Sequence, residues 1–218
     1  MRIVLVGPPG AGKGTQAAYL AKNLSIPHIS TGDLFRANIS QGTDLGKQAK
    51  AYMDAGDLVP DEVTIGMAED RLDQADAVEG FLLDGFPRNV NQARALDGYL
   101  ERNAIRLDGV LDLEVPESEV VRRIAGRRTC RNNSAHTFHV ESRKPKTDGV
   151  CDECGGELYQ RSDDSEQTVR NRIEVYHRET EPIIEFYKQQ GLVVTISALG
   201  PVHEVTQRAM DALRRDQA

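Results

Sequence analysis

Short apolar runs alternate with longer stretches in which apolar residues return every three or four positions. The runs are Ile3–Val6, Pro27–Ser30, Phe81–Asp84, Val110–Val115 and Leu192–Ser197. Each has the length of a strand, and their lack of apolar–polar alternation predicts strands buried on both faces. Helical spacing covers Gly14–Leu24, Asp61–Gln74, Asn89–Asn103, Glu117–Ala125, Glu166–Gln189 and Val202–Arg214. This alternation predicts an α/β fold, a five-stranded parallel sheet with helices on both faces.

Two stretches break the rhythm. Residues 30–59 hold two short helical patterns with no strand between them, divided near Gly42, and Thr31 with Asp33 close behind suits the start of the first. Residues 127–162 are rich in Cys, Gly and polar side chains and too irregular for a core helix. Both read as insertions, leaving 1–29, 60–126 and 163–218 as one core. The apolar runs are far too short to span a bilayer. Arg2 leads into a strand pattern without the layout of a signal peptide, so a cytoplasmic protein without membrane contact is expected.

Composition adds two points. Hydrophobic residues are 39% and charged residues 28%, with a net charge of −7, which suits a soluble chain and disfavours nucleic acid as a partner. Of 27 basic residues, 20 are Arg. Codon preference is one source of such a bias. The other is the planar guanidinium fork, which grips phosphate in a bidentate way that Lys cannot. Position has to decide for each Arg.

Position speaks first at Gly7-Pro8-Pro9-Gly10-Ala11-Gly12-Lys13, which fits the phosphate-loop pattern G-x-x-x-x-G-K between a strand and a helix. Glycines let the backbone wrap closely, so that successive N–H groups point inward and the helix adds its positive end. Lys13 is expected to reach the β- and γ-phosphates. The pattern departs from its usual form in one place: Gly14 follows the Lys, and the hydroxyl comes one residue later, at Thr15. A P-loop NTPase type of core follows from this loop.

A second signal is Phe81-Leu82-Leu83-Asp84-Gly85-Phe86-Pro87-Arg88-Asn89-Val90-Asn91-Gln92. The strand delivers Asp84 to the carboxyl edge, where ligands of parallel sheets bind. There it either orients Mg²⁺-bound water or caps a helix. Gly85 and Pro87 shape a turn that presents Arg88.

With these two motifs, and with Ser30-Thr31-Gly32-Asp33-Leu34-Phe35-Arg36 and Gly126-Arg127-Arg128 agreeing, essentially the whole chain resembles the adenylate kinases in their long bacterial form. Members of that family convert ATP and AMP, with Mg²⁺, into two ADP. The resemblance implies that 30–59 is a movable AMP-binding flap and 127–162 a lid. It implies ATP contacts from Gly10, Ala11, Gly12, Lys13, Gly14, Thr15, Arg127, Thr137, Phe138 and Gly200. AMP would meet Thr31, Arg36, Asp57, Leu58, Val59, Gly85, Phe86, Pro87, Arg88, Gln92, Arg161 and Arg172. Lys13, Arg88, Arg123, Arg127, Arg161, Arg172 and Asp84 would serve the transfer itself.

Phosphoryl transfer asks for in-line positioning and positive charge rather than covalent chemistry. An ionised phosphate is the nucleophile, so no general base is needed, and His28, His177 and His203 read as surface or core residues. Arg122, Arg128, Arg170 and Arg178 read as solvated, while Asp163 and Asp164 read as partners of the lid arginines. A kinase of the same fold acting on UMP or CMP, or drawing on GTP, is the nearest alternative. A non-catalytic nucleotide sensor is the more distant one, and intact Lys13, Arg88, Arg127 and Arg172 speak against it.

Cys130, Cys151 and Cys154 form an odd, clustered set, which in a cytosolic chain suits metal ligation better than disulfides. Family members that carry zinc show two C-x-x-C-like pairs, but here Asn133, a poor zinc ligand, holds the second position. His136 completes C-x5-H-x14-C-x2-C, a Cys₃His set suited to tetrahedral structural Zn²⁺, with Fe²⁺ or Co²⁺ also compatible. His139 is the fallback donor, and a lid with free cysteines and no metal is the alternative. Two freely moving flaps make a monomer the simplest expectation.

Overall fold

The computed structural model describes residues 1–134 and 136–215. Its centre is a parallel sheet of β1 (Arg2–Val6), β2 (His28–Ser30), β3 (Phe81–Asp84), β4 (Gly109–Glu114) and β8 (Val193–Ser197), in the order β2-β3-β1-β4-β8. Five parallel strands are what the apolar runs predict.

The missing alternation has a direct cause, because successive residues of one strand enter different cores. Val4, Val6, Phe81, Leu83 and Val110 face α4 (Asp61–Leu72), α5 (Val90–Arg102) and α8 (Pro182–Lys188). Ile3, Leu5, Leu82, Leu111 and Leu113 face α1 (Lys13–Leu24) and α9 (Val202–Arg215). Each of these side chains is at most 2% exposed. Burial of that kind contributes about 1.5–3 kcal/mol per large side chain, so both faces of the sheet hold the molecule together.

Register decides where the loops emerge. Ser30 and Leu5 pair with Asp84, Val6 with Asp112, and Glu114 with Ser197. The loops after β1, β3 and β8 therefore leave from one edge.

The first inserted stretch forms α2 (Thr31–Gln41) and α3 (Asp44–Ala55). Ser30 and Thr43 cap them by accepting from the Asp33 and Gly46 amides, and Gly42 turns the chain between them at φ 68°. The second follows α6 (Glu117–Ala125) and carries a small antiparallel sheet, β6-β5-β7, of β5 (Arg127–Cys130), β6 (Thr137–His139) and β7 (Leu158–Tyr159). These strands have no pattern long enough to read from sequence. Their own core is Cys130, Phe138, Cys151 and Leu158.

The single helix expected over Glu166–Gln189 is broken. α7 (Glu166–Val175) opens into a wide π turn over Tyr176–Thr180, and α8 restarts at Pro182. Pro182 has no N–H to donate, and its ring would strike the carbonyl four residues back, so the backbone widens ahead of it. The Glu181 amide accordingly reaches the Tyr176 carbonyl at 2.9 Å. No helix among the described residues is long and apolar enough to cross a membrane. The last three positions of the expected core segment 163–218 lie outside the described residues.

Candidate active site

The loops leaving the carboxyl edge enclose a cavity of about 860 Å³. Gly10–Thr15, Asp84, Arg88, Arg123, Arg127, Arg161 and Arg172 line it, with Thr137 and Phe138 from β6 and Gly200 after β8. A smaller cavity adjoins it, lined by Thr31, Asp57, Val59 and Gln92 among others. Arg36, Leu58, Gly85, Arg88 and Arg172 line both. Residues far apart in sequence thus converge on two connected chambers with guanidinium groups at their junction.

Two loop glycines carry backbone that other residues resist. Gly10 and Gly12 have φ of 79° and 95°, and a Cβ on Gly10 would lie 2.9 Å from Ile124. The Lys13 ammonium folds back to donate to the carbonyls of Gly7 (2.6 Å) and Pro8 (2.9 Å). Burial lowers its pKa from 10.5 to about 8; Asp84 opposes that shift, and Arg88, Arg172 and Arg127 add to it. Burial also disfavours charge on Asp84, but His28, Lys13 and Arg88 outweigh it and hold the carboxyl below its ordinary range. His28 was read as a surface or core residue; its Nε2 stands 3.4 Å from Asp84 Oδ2, on the cavity wall.

The arginines are held by local partners. Arg127 forms a two-pronged pair with the fully buried carboxylate of Asp164, its Nε at 3.0 Å from Oδ2. That pair matches the reading of Asp163 and Asp164 as partners of the arginines in 127–162; Asp163 instead takes Arg172 of α7, which donates to its Oδ2 at 2.8 Å. Arg123 donates to the carbonyls of Ala11 (3.3 Å) and Ala198 (3.0 Å), joining the phosphate loop to the segment after β8. Arg161 donates to Thr129 Oγ1 at 3.0 Å. Burial, reinforced by neighbouring guanidinium groups, pushes Arg161 down to about 9 and Arg172 to about 10. So many cations crowded out of water make the pocket strongly favourable for a polyanion.

The turn after β3 is built around Gly85. Its carbonyl accepts from Thr31 Oγ1 (2.7 Å) and Arg88 Nε (2.9 Å). The Arg88 carbonyl accepts from Thr180 at 2.8 Å, which gives the π turn a place in the site. Arg36 pairs with Asp33, a partner the sequence reading missed. Gln92 is buried, with its Oε1 accepting from the Arg88 amide and its Nε2 donating to Asp61, both at 2.8 Å. One N–H of its amide is left to offer a ligand. Phe86 is not brought to either chamber: its side chain is 1% exposed and packs in the sheet core. An apolar residue one position after the turn glycine points into the core rather than to the ligand.

Residues 30–59 and 127–162 both touch helices packed around the sheet. Thr15 and Thr137 hydroxyls are 3.3 Å apart. Asn171 donates to Ala55 O and Asp57 Oδ1 at 2.9 Å, while Ser162 donates to Asp54 Oδ1 at 3.0 Å and so joins residues 127–162 to residues 30–59. Arg170 and Arg178 pair with Glu166 and Glu179 in solvent, as expected. Glu119, Ser142, Arg143, Leu199 and Val202 also line the large chamber, and no motif singled them out.

Around the small antiparallel sheet, Cys130, His136, Cys151 and Cys154 bring one ligand atom each within 4.8 Å of all the others. Cys130 and Cys154 sulfurs are 3.5 Å apart, and Cys151 Sγ is 3.4 Å from His136 Nδ1. This Cys₃His cluster suits zinc. His139 is engaged elsewhere: Nδ1 accepts from the Glu141 and Ser142 amides at 3.0 and 3.1 Å.

Comparison with known proteins places the chain in a wider set. The family model described as adenylate kinase matches residues 5–192. The adenylate kinase of Streptomyces avermitilis is 77% identical over 218 residues, 100% of this chain and 99% of that one. That of Streptomyces coelicolor is 72% identical over 217 residues, covering 100% of both. That of Acidothermus cellulolyticus is 59% identical over 214 residues, 98% of each.

Proposed function

The chain belongs to the adenylate kinase family, a group of nucleoside-monophosphate phosphotransferases, and from that premise we propose how its own residues divide the work. ATP lies in the large chamber with its phosphates in the Gly7–Thr15 loop. AMP lies in the smaller chamber, its phosphate on Arg36 and Arg88 and its base toward Gln92. The γ-phosphoryl passes between them, giving two ADP, and the reverse reaction uses the same contacts.

The observation that carries this reading is the junction of the two chambers, where Arg36, Arg88 and Arg172 line both. In-line transfer places the most charge on the equatorial oxygens of the moving group, and these guanidinium groups surround its path together with Lys13, Arg123, Arg127 and Arg161. Asp163 and Asp164 hold Arg172 and Arg127 until phosphate takes over part of their hydrogen bonding. The lid strands exclude water from the transferred group.

Asp84, beside the phosphate loop, offers a carboxylate held below its ordinary pKa range, and Thr15 within the loop offers a hydroxyl 3.3 Å from that of Thr137; both fit partners of Mg²⁺ or its water shell. Mg²⁺ bound with ATP would neutralise charge on the phosphate oxygens. Cys130, Cys151, Cys154 and His136 through Nδ1 would hold a structural Zn²⁺, since four protein ligands leave no open position for water chemistry. The protein would work in the cytoplasm as a monomer, with ATP, AMP and ADP as partners and neither nucleic acid nor membrane among them. The inserted segments 30–59 and 127–162 would act as a closing flap and lid on the core.

The test is a coupled assay of diphosphate formed from ATP with AMP, UMP, CMP or GMP, repeated with GTP as donor. ATP with AMP should be the preferred pair, and Arg88→Ala should lower its turnover by roughly a thousandfold or more. A preference for another monophosphate, or near-normal turnover in the variant, would contradict the assignment.

A further inference from the structure

Part of the large chamber's wall is the segment that follows β8. Ala198–Pro201 leaves β8, lines the cavity and enters α9, with Gly200 at φ 104° and Leu199 39% exposed. So short and exposed a segment takes its position from what grips its ends. At the strand end, Arg208 donates to the carbonyls of Ser197 and Leu199, and Arg123 to that of Ala198. At the helix end, the Val202 carbonyl accepts from Gln16 Nε2 at 3.1 Å and lies 2.9 Å from Thr206 Oγ1. Thr206 Oγ1 in turn donates to Gln16 Oε1 at 2.8 Å.

Gln16 is 4% exposed, on the first turn of α1 beside Thr15, where α1 packs on α9. An apolar residue would fill that helix–helix contact without polar demands. Here the space holds an amide whose oxygen and nitrogen are both engaged, and the backbone it grips leads directly into the cavity wall. We infer that Gln16 is a positioning residue for the donor base. Acting through Val202 and with Thr206, it fixes the 198–201 backbone at the distance from the phosphate loop that a nucleoside triphosphate requires. The inference rests on the proposed placement of ATP in the large chamber, with Gly200, an ATP contact by family resemblance, taken to meet the adenine through its backbone.

Titration calorimetry with two Mg²⁺-bearing probes tests it: ATP, which uses the base end, and inorganic tripolyphosphate, which uses only the loop. Gln16→Leu and Thr206→Val should each weaken ATP about tenfold and leave tripolyphosphate within about twofold. Thr206→Ser, which keeps the hydroxyl, should bind ATP as the unmodified chain does. Equal losses for both probes would show that Gln16 serves the phosphate loop instead and overturn the inference. Unchanged ATP binding in both variants would overturn it too, as would a Thr206→Ser variant as weak as Thr206→Val. Unmodified protein that binds ATP no tighter than tripolyphosphate would instead remove the base site itself, and positioning with it.

Discussion

At the scale of single residues, Lys13 shows how the site suits a polyanion. Its ammonium turns back on the Gly7 and Pro8 carbonyls, and its pKa of about 8 reflects burial first and crowding by Arg88, Arg172 and Arg127 after it. A triphosphate reverses both effects by bringing negative charge and hydrogen-bond acceptors to the amine. The pKa must therefore rise on binding, which fixes the sign of the pH dependence. Affinity is fully expressed below about 8 and falls as pH rises through that value, because the free protein then has to take up a proton to bind. At pH 8, calorimetry in buffers of different ionisation enthalpy should report net uptake of up to about half a proton per ATP bound. Zero uptake, or release, would mean that the ammonium does not meet the phosphates. Lys13 was legible from sequence because a G-x-x-x-x-G-K loop has few uses. Gln16, three residues further, was not, because nothing local distinguishes a buried amide that grips α9 from any polar residue on a helix.

At the scale of elements, the lid sheet is a short structure that needs an internal clamp. β5, β6 and β7 span only two to four residues each, and the core beneath them consists of Cys130, Phe138, Cys151 and Leu158. So small a core stabilises little by apolar burial, and metal ligation by the Cys₃His set would supply most of the lid's order. Protein purified without chelator should carry about one equivalent of zinc per chain, and its removal should lower the melting temperature by roughly 10 °C or more. His136→Ala should lose both the metal and the stability. A variant that keeps one equivalent and its melting temperature would move the fourth ligand elsewhere. The Cys₃His cluster could be read from the sequence, since Asn133 is a poor zinc ligand and His136 stands three residues on. The strands could not, because two to four residues carry no period. The break between α7 and α8 was missed for a different reason: apolar spacing continues across it, while Pro182 removes an amide and forces the wide turn that hands Thr180 to Arg88.

At the scale of the whole molecule, the parallel sheet sends three loops from one edge, and residues from 30–59 and 127–162 join them in lining the cavity. That edge was legible in the apolar runs, because strands buried on both faces reveal themselves by lacking alternation. The motifs marked loop residues that reach the cavity, Gly10–Thr15, Gly85, Pro87 and Arg88 among them, but not every residue of a motif does. Arg88 lines both chambers, whereas Phe86, two residues before it in the same motif, belongs to the core. Two nucleotides held end to end across the guanidinium junction is the central claim. Calorimetric titration with two adenosines joined through five phosphates, which spans both chambers at once, tests it most directly. One equivalent per chain should bind, at least about a hundredfold tighter than ATP alone, and Arg88→Ala should lose most of that gain. Two equivalents per chain, or an affinity no better than that of ATP, would contradict the account.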